Sequence, residues 1–167
     1  MEVRDLFSDA PLPADKITSL AVQQLLREPI NVVDDWQRAE SLLRGVDLIL
    51  GGRIEVKIAL YKMFAYSNRH ADAEQLILQV LKQAGEPLGW SDDWRALPGR
   101  PLDSASIVGN TRMYLYSLKA LGFVSLRSGQ IDQAIAVLHK LQQLDPHDEV
   151  GGSVVQGMAN SLLEEDD

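Results

Sequence analysis

A block of six residues recurs in this chain at a spacing of 34. Residues 38–43 read RAESLL and residues 72–77 read DAEQLI, so Ala39 and Ala73 occupy equivalent positions. A fixed period of this length is typical of stacked helical hairpins. Such hairpins bury their apolar faces only against one another, and they present a shared surface to other molecules. The period therefore predicts an all-α fold and a protein that binds other proteins.

Charge and composition exclude several classes of function. The chain has 167 residues, a formal net charge of -8 and no cysteine. The negative charge argues against a nucleic-acid or anionic-membrane partner, because both are polyanions. Without cysteine there are no disulfides and no thiolate metal sites. No signal peptide is visible and no apolar run reaches the length of a membrane span. We therefore expect a cytoplasmic protein.

Helical periodicity and chain breakers divide the sequence into segments of one domain, 1–167. The predicted segments are a degenerate hairpin unit at 14–51, a second unit at 54–87, a long loop at 85–104, a third unit at 115–148 and a capping helix at 149–163. The loop is rich in proline and glycine and has no period. Long loops without secondary structure are uncommon in compact domains and are often functional.

The unit at 115–148 carries the most specific pattern. Small residues stand where its two helices would cross, leucines stand beside them, a glycine stands at the turn and a proline closes the unit. The matching positions are Leu118, Leu121, Gly122, Gly129, Asp132, Ala134, Ile135, Leu138 and the closing Leu144, Asp145 and Pro146. This pattern resembles a tetratricopeptide repeat. The resemblance is weaker in the second unit, where Tyr61 replaces a small residue, and weakest in the first, where Pro29 interrupts a helix.

The resemblance implies a solenoid of about three degenerate units with a C-terminal capping helix. In this family the binding surface is concave and is built from the first helix of each unit. The positions that match this surface are Tyr116, Lys119, Phe123, Leu126 and Arg127 in one unit and Ile58, Lys62 and Tyr66 in another. Aromatic side chains mixed with single positive charges are enriched at peptide-binding surfaces. Two alternatives stay open, namely that the aromatics cover neighbouring helices and that the cations form a solvated face.

The loop contains two tryptophans, Trp90 and Trp94. Together with Leu88 and Leu97 they are expected either to fold the loop back onto the array or to serve as anchors for a partner, since exposed tryptophan is a common hot-spot residue.

Catalysis is not expected. The three histidines have no metal-ligand spacing, and no nucleophile motif accompanies them. We therefore predict no enzyme activity, no metal and no cofactor. The predicted function is that of an adaptor or chaperone that binds a peptide or partner segment. In size, charge and repeat type the chain is similar to bacterial type III secretion chaperones. The alternative is a structural subunit or homodimer without a dedicated peptide groove.

Overall fold

A computed structural model describes Arg44 and residues 52–165. Five α-helices lie within residues 52–165, and three short 3-10 helices connect the second to the third. The α-helices are α1 (Ile54–Tyr66), α2 (His70–Gly85), α3 (Gly109–Arg127), α4 (Ile131–Leu144) and α5 (Gly152–Glu165). That range contains no strand, so the all-α prediction is confirmed for it. Apart from Arg44, the predicted unit at 14–51 lies outside the described residues.

The chain divides into two compact units, Met1–Leu76 and Ile77–Asp167. The division falls inside helix α2. A single domain over residues 1–167 stays a prediction.

In the first unit, helix α1 is buried along most of its length and ends in a well-satisfied turn. The Ser67 hydroxyl donates to the Met63 carbonyl at 2.7 Å, and the Arg69 N–H donates to the Phe64 carbonyl at 2.9 Å. The Arg69 guanidinium lies 4.4 Å from the centroid of the Phe64 ring and forms an ion pair with Asp72 at 2.9 Å. These contacts satisfy the last carbonyls of the helix and hold the predicted turn between α1 and α2.

In the second unit, α3 and α4 form a helical hairpin with one glycine at the contact between the helices and another at the turn. A Cβ atom added to Gly122 would lie only 2.9 Å from Cδ2 of Leu138, so no larger residue fits without movement of the leucine. Ala134 is fully buried. Gly129, at the turn, has a φ of +81°, a left-handed conformation that favours glycine. The structure thus has the close helix crossing at Gly122 and the glycine turn at Gly129 that the sequence pattern predicts.

The segment between α2 and α3 has more local structure than the sequence predicted. It contains 3-10 helices at Glu86–Leu88, Trp94–Ala96 and Ser104–Ser106. Asp93 and Asp103 precede two of these helices, and their side chains accept the backbone N–H groups of Arg95 at 3.0 Å and Ala105 at 3.2 Å. Such capping compensates for the missing helical hydrogen bonds. Short capped turns thus replace the predicted structureless loop.

This connecting segment also lies along helix α4. The Lys140 ammonium donates to the Leu97 carbonyl, and the Leu102 N–H donates to the Leu144 carbonyl at 2.9 Å. Later residues of the segment meet later residues of the helix, so the two run in the same direction. The segment is therefore fastened to α4 by its backbone.

Candidate interaction surface

Helix α3 is the core helix of the second unit. Each residue from Tyr114 to Leu126 is buried. The helix contacts α4, α5 and the 3-10 helix Glu86–Leu88. A helix that is buried on all sides belongs to the interior of a fold. It offers no exposed face along these thirteen consecutive residues.

Most of the binding residues predicted on α3 lie in this interior. Tyr116, Phe123 and Leu126 are each no more than 5% exposed. Only Arg127, at the end of the helix, is exposed, and its guanidinium lies 5.9 Å from the centroid of the Phe123 ring. Tyr116, Phe123 and Leu126 therefore agree with the alternative in which these side chains cover neighbouring helices. A concave surface along α3 would require them to face solvent.

Lys119 departs furthest from expectation, because it is fully buried. Its ammonium donates to the Val150 carbonyl at 2.7 Å and lies 5.4 Å from the centroid of the Tyr116 ring. Lysine is almost never fully buried unless it is paired. Neither a peptide-binding face nor a solvated face describes this environment, so the expectation of an exposed Lys119 is corrected. The side chain fastens α3 to the segment that leads into α5.

The three predicted residues on α1 belong to the first unit. Ile58 is fully buried, while Lys62 and Tyr66 are half-buried. Ile58 therefore packs inside the fold rather than on a surface. For Lys62 and Tyr66, a role in binding stays a prediction.

The two tryptophans of the connecting segment differ in exposure. Trp94 is buried, with 3% exposure, and so is Leu97, with 6%. Trp90 is half-buried, and its ring meets that of Tyr114 edge to face, with the centroids 4.8 Å apart. These positions match the alternative in which the loop folds back onto the helices. Trp94 is not available as an exposed anchor in this structure.

The corner between α4 and α5 is held by carboxylates. The Asp145 side chain, itself buried, accepts the N–H groups of Glu149 at 2.9 Å and Val150 at 3.0 Å. The Asp148 side chain accepts the Ser153 N–H at 3.0 Å, in the first turn of α5. Together with the bond from Lys119 to Val150, these contacts fix where α5 begins and how it approaches α4.

Helix α5 packs against the rest of the second unit through a short row of side chains. Its buried residues are Val155 and Ala159, and it contacts α3 and α4. Leu163 lies one further turn along the same row, because residues four apart share a helix face. Leu163 is nevertheless 44% exposed. The buried row thus ends before the helix does.

A second apolar row lies beside the first and is more open. Val154 and Leu162 are 45% and 41% exposed, and Met158, midway between them, is half-buried. We call Val154, Met158, Leu162 and Leu163 the open face of α5. Single exposed apolar residues are common on protein surfaces, whereas contiguous exposed apolar patches often mark interaction sites.

This surface was not predicted from the sequence, because the last helix was expected to be a capping helix. The signal was present, since two apolar rows at four-residue spacing are more than one packing face needs. Three glycines at 151, 152 and 157 drew attention to low helix propensity instead.

Charge is distributed unevenly around the open face. After Lys140 the chain has seven acidic residues and no lysine or arginine. Seven of the eight net negative charges therefore belong to the last 27 residues. Glu164 and Glu165 directly follow the open face and are exposed. The apolar rows consequently lie in a strongly acidic stretch of the chain.

Other features of chemical interest are few within the described residues. The Tyr114 hydroxyl is buried there without a hydrogen-bond partner, and burial, together with the charge of Asp93, raises the pKa of this phenol well above its usual value. In that part of the chain, no three His, Asp or Glu side chains are grouped so that they could hold a metal ion. None of its helices combines the length and the apolar character that crossing a membrane requires.

One curated relative resembles the chain. It is described as an uncharacterized 19.8 kDa protein in the nifW 5' region of Azotobacter chroococcum mcd 1, and it is 27% identical over 119 residues. The matched residues cover 70% of this chain and 67% of the relative. No protein-family model matches the chain, and no solved structure matches it.

Proposed function

We propose that the protein is an interaction module, an adaptor or chaperone, that binds a segment of a partner protein on the open face of α5. The observation that carries the proposal is the pair of adjacent apolar rows on this helix, of which only Val155 and Ala159 are buried. Exposed apolar surface is costly to leave in water, at about 25 cal/mol per Å². A partner that covers the rows would recover that free energy.

The proposal includes a tetratricopeptide-like arrangement, with α3 and α4 as one hairpin unit and α5 as the helix packed against it. The close approach of Gly122 to Leu138 supports this arrangement, because the family pattern has a small residue where the hairpin helices cross. The proposal moves the binding surface from α3, where the resemblance implied it, to α5. The reason is the burial of Tyr116, Lys119 and Phe123.

The relative suggests where to look for the partner. Its printed name refers to the 5' region of nifW. Products of genes that lie beside the gene for this protein are therefore the first partners to test.

The test is co-expression of the tagged chain with each neighbouring gene product in turn, followed by affinity purification. We expect one product to co-purify with the unmodified chain and with Asn160→Glu, and to be lost from Leu162→Glu. Both substitutions introduce one carboxylate on the same helix. Leu162 belongs to the open face, whereas Asn160 is exposed and lies about 160° away around the helix. Equal recovery with both variants would show that the open face is not the binding surface.

The second candidate function is a structural subunit that forms a homodimer through the same open face of α5. Light scattering on the purified chain separates the two candidates. A stable dimer that Leu162→Glu converts to a monomer would favour the subunit, whereas a monomer that binds a neighbouring gene product would favour the adaptor.

A further inference from the structure

We infer that the partner segment on the open face of α5 is amphipathic and basic, with Lys or Arg beside its apolar residues. This inference rests on the proposed function and specifies its partner. The site itself is the apolar face, and the charge around it decides which occupant fits.

The dimensions of the face limit the occupant to a short segment. Val154 and Leu162, the two ends of the more open row, are eight residues apart on one helix, which corresponds to roughly 12 Å at 1.5 Å per residue. Two or three turns of a partner helix cover that distance. An amphipathic helix laid on an apolar face, with anchors three and four residues apart, is a recurrent mode of peptide recognition.

The charge of the surroundings favours a cationic partner over an acidic one. No residue of α5 is basic, and Glu164 and Glu165 stand at its C-terminal end. The C-terminus of a helix carries partial negative charge, so acidic residues there are unfavourable by about 0.3 to 1 kcal/mol each. Cationic side chains of a partner would remove this repulsion and would also approach the apolar rows closely.

Two of the three carboxylates near the corner already accept backbone hydrogen bonds, and the third, Glu149, precedes α5 by three residues. Asp145 accepts two backbone N–H groups and Asp148 accepts the Ser153 N–H. Glu164 and Glu165 lie next to the open face and are exposed. They are therefore the carboxylates best placed to meet the cations of a bound segment.

Charge also argues against the other occupants of an apolar face. A second copy would bring its own net charge of -8 and the same acidic helix end. An anionic lipid surface would be repelled by the net negative charge of the chain and by the acidic end of α5. A basic protein segment is the occupant that satisfies the apolar rows and the acidic end together.

The test is selection from a library of random peptides displayed on phage, with the full-length chain immobilised. We expect the enriched peptides to combine apolar residues at helical spacing with an excess of Lys and Arg. Their affinity should fall at least about tenfold in Leu162→Glu. It should fall about three- to tenfold in the double variant Glu164→Lys, Glu165→Lys, and it should weaken as salt is raised.

Two matched controls keep the outcomes distinct. Asn160→Glu adds a carboxylate about 160° around the helix from Met158 and Leu162, and Glu86→Lys with Asp92→Lys reverses two exposed charges outside α5. Neither control should change the affinity more than about twofold, because each leaves the face and its acidic end intact.

The contradicting results separate the inference from the proposed function. Two results would overturn the basic partner alone. One is enrichment of peptides without excess positive charge. The other is an affinity that is unchanged in the double variant Glu164→Lys, Glu165→Lys but lost in Leu162→Glu. Binding that ignores Leu162→Glu, or no enrichment above an unrelated acidic protein, would overturn the open face as well. A dimer that Leu162→Glu dissociates would make a second copy the occupant and would overturn the inference.

Discussion

Helices α3 and α5 lie in the same compact unit and differ sharply in how much of each helix is exposed. Helix α3 is buried without interruption from Tyr114 to Leu126, although its sequence contains lysine and serine. Helix α5 buries only Val155 and Ala159, although its sequence is mostly small and apolar. The helix with a lysine and two serines along its buried stretch is thus the core of the unit, and the helix with two apolar rows is its exposed edge.

The difference shows that polar residues do not by themselves mark an exposed helix face. Two of the polar side chains buried on α3 have hydrogen-bond partners. Lys119 donates to the Val150 carbonyl at 2.7 Å, and the Ser125 hydroxyl accepts a hydrogen bond from the Gln133 side chain at 2.9 Å. Buried polar groups are tolerated when they are hydrogen-bonded. A reading of the helix from residue type alone places these groups in solvent.

The largest expected effect comes from truncating one leucine on each helix. Leu121→Ala removes a fully buried side chain and should lower the free energy of unfolding by about 2 to 5 kcal/mol. Leu162→Ala, at 41% exposure, should lower it by less than about 1 kcal/mol. Urea denaturation followed by circular dichroism measures both. Similar losses for the two variants would break the contrast between α3 and α5.

Lys119→Met tests the link between α3 and the start of α5. The substitution keeps the length of the side chain but leaves the Val150 carbonyl without this donor, at an expected cost of about 1 to 3 kcal/mol. Lys140→Met, which removes a part-buried bond to the Leu97 carbonyl, serves as the control and should cost less. If denaturation midpoints rank the two variants in the opposite order, the buried ammonium is not an important stabilising contact.

Two glycines of α5 sharpen the comparison within one helix. A Cβ atom at Gly152 would lie 2.6 Å from Cδ2 of Leu141, whereas nothing lies within 4 Å of one at Gly157. Gly152→Ala should destabilise by about 1 to 3 kcal/mol through overpacking, and Gly157→Ala should stabilise by about 0.5 to 1 kcal/mol through higher helix propensity. Thermal unfolding distinguishes the opposite signs. Equal shifts would mean that α5 does not pack on α4 at its N-terminal end.

The smallest expected effect at neutral pH concerns the N-terminal half of α3. Tyr114→Phe removes a buried hydroxyl that has no hydrogen-bond partner among the described residues, so the free energy of unfolding should change by less than about 0.5 kcal/mol or rise. The pKa of Tyr114 is raised in the folded state, while the unfolded phenol titrates near about pH 10.

The sign of the pH dependence follows from that difference. Below about pH 10 the phenol is neutral in both states, and its contribution to stability is fully present. As the pH rises further, the unfolded state loses this proton more readily than the folded state, so stability falls. Denaturation at neutral and alkaline pH should show a shallower decline for Tyr114→Phe than for the unmodified chain. An identical decline would mean that this phenol is not the group responsible.

The sequence predicted the helices of the second unit well because their boundaries depend on local signals. Helix α4 spans Ile131–Leu144, between the glycine turn and the closing Asp145-Pro146 expected from the sequence. The close contact at Gly122 was also predictable, since a small residue at a hairpin crossing has a steric reason. The predicted helix at 149–163 begins three residues later, at Gly152, because Asp145 and Asp148 hold the intervening turn.

Which helix faces are exposed was not predictable in the same way, because exposure depends on what packs against a helix. Tyr116, Phe123 and Leu126 have the composition of a binding face and the burial of a core. Trp94 reads as a hot-spot residue but is buried in the connecting segment. For none of these residues does the local sequence reveal which neighbour covers it.

By itself the sequence determined the all-α class of the described residues, the end of α4 at Asp145-Pro146 and the acidic character of the last segment. These follow from backbone propensity, capping and charge, which act over a few residues. Only the tertiary structure decided that α3 lies at the centre of the second unit and that α5 leaves Val154, Met158, Leu162 and Leu163 uncovered. Burial is set by contacts between residues far apart in the chain, such as Lys119 with Val150, and no local pattern specifies them.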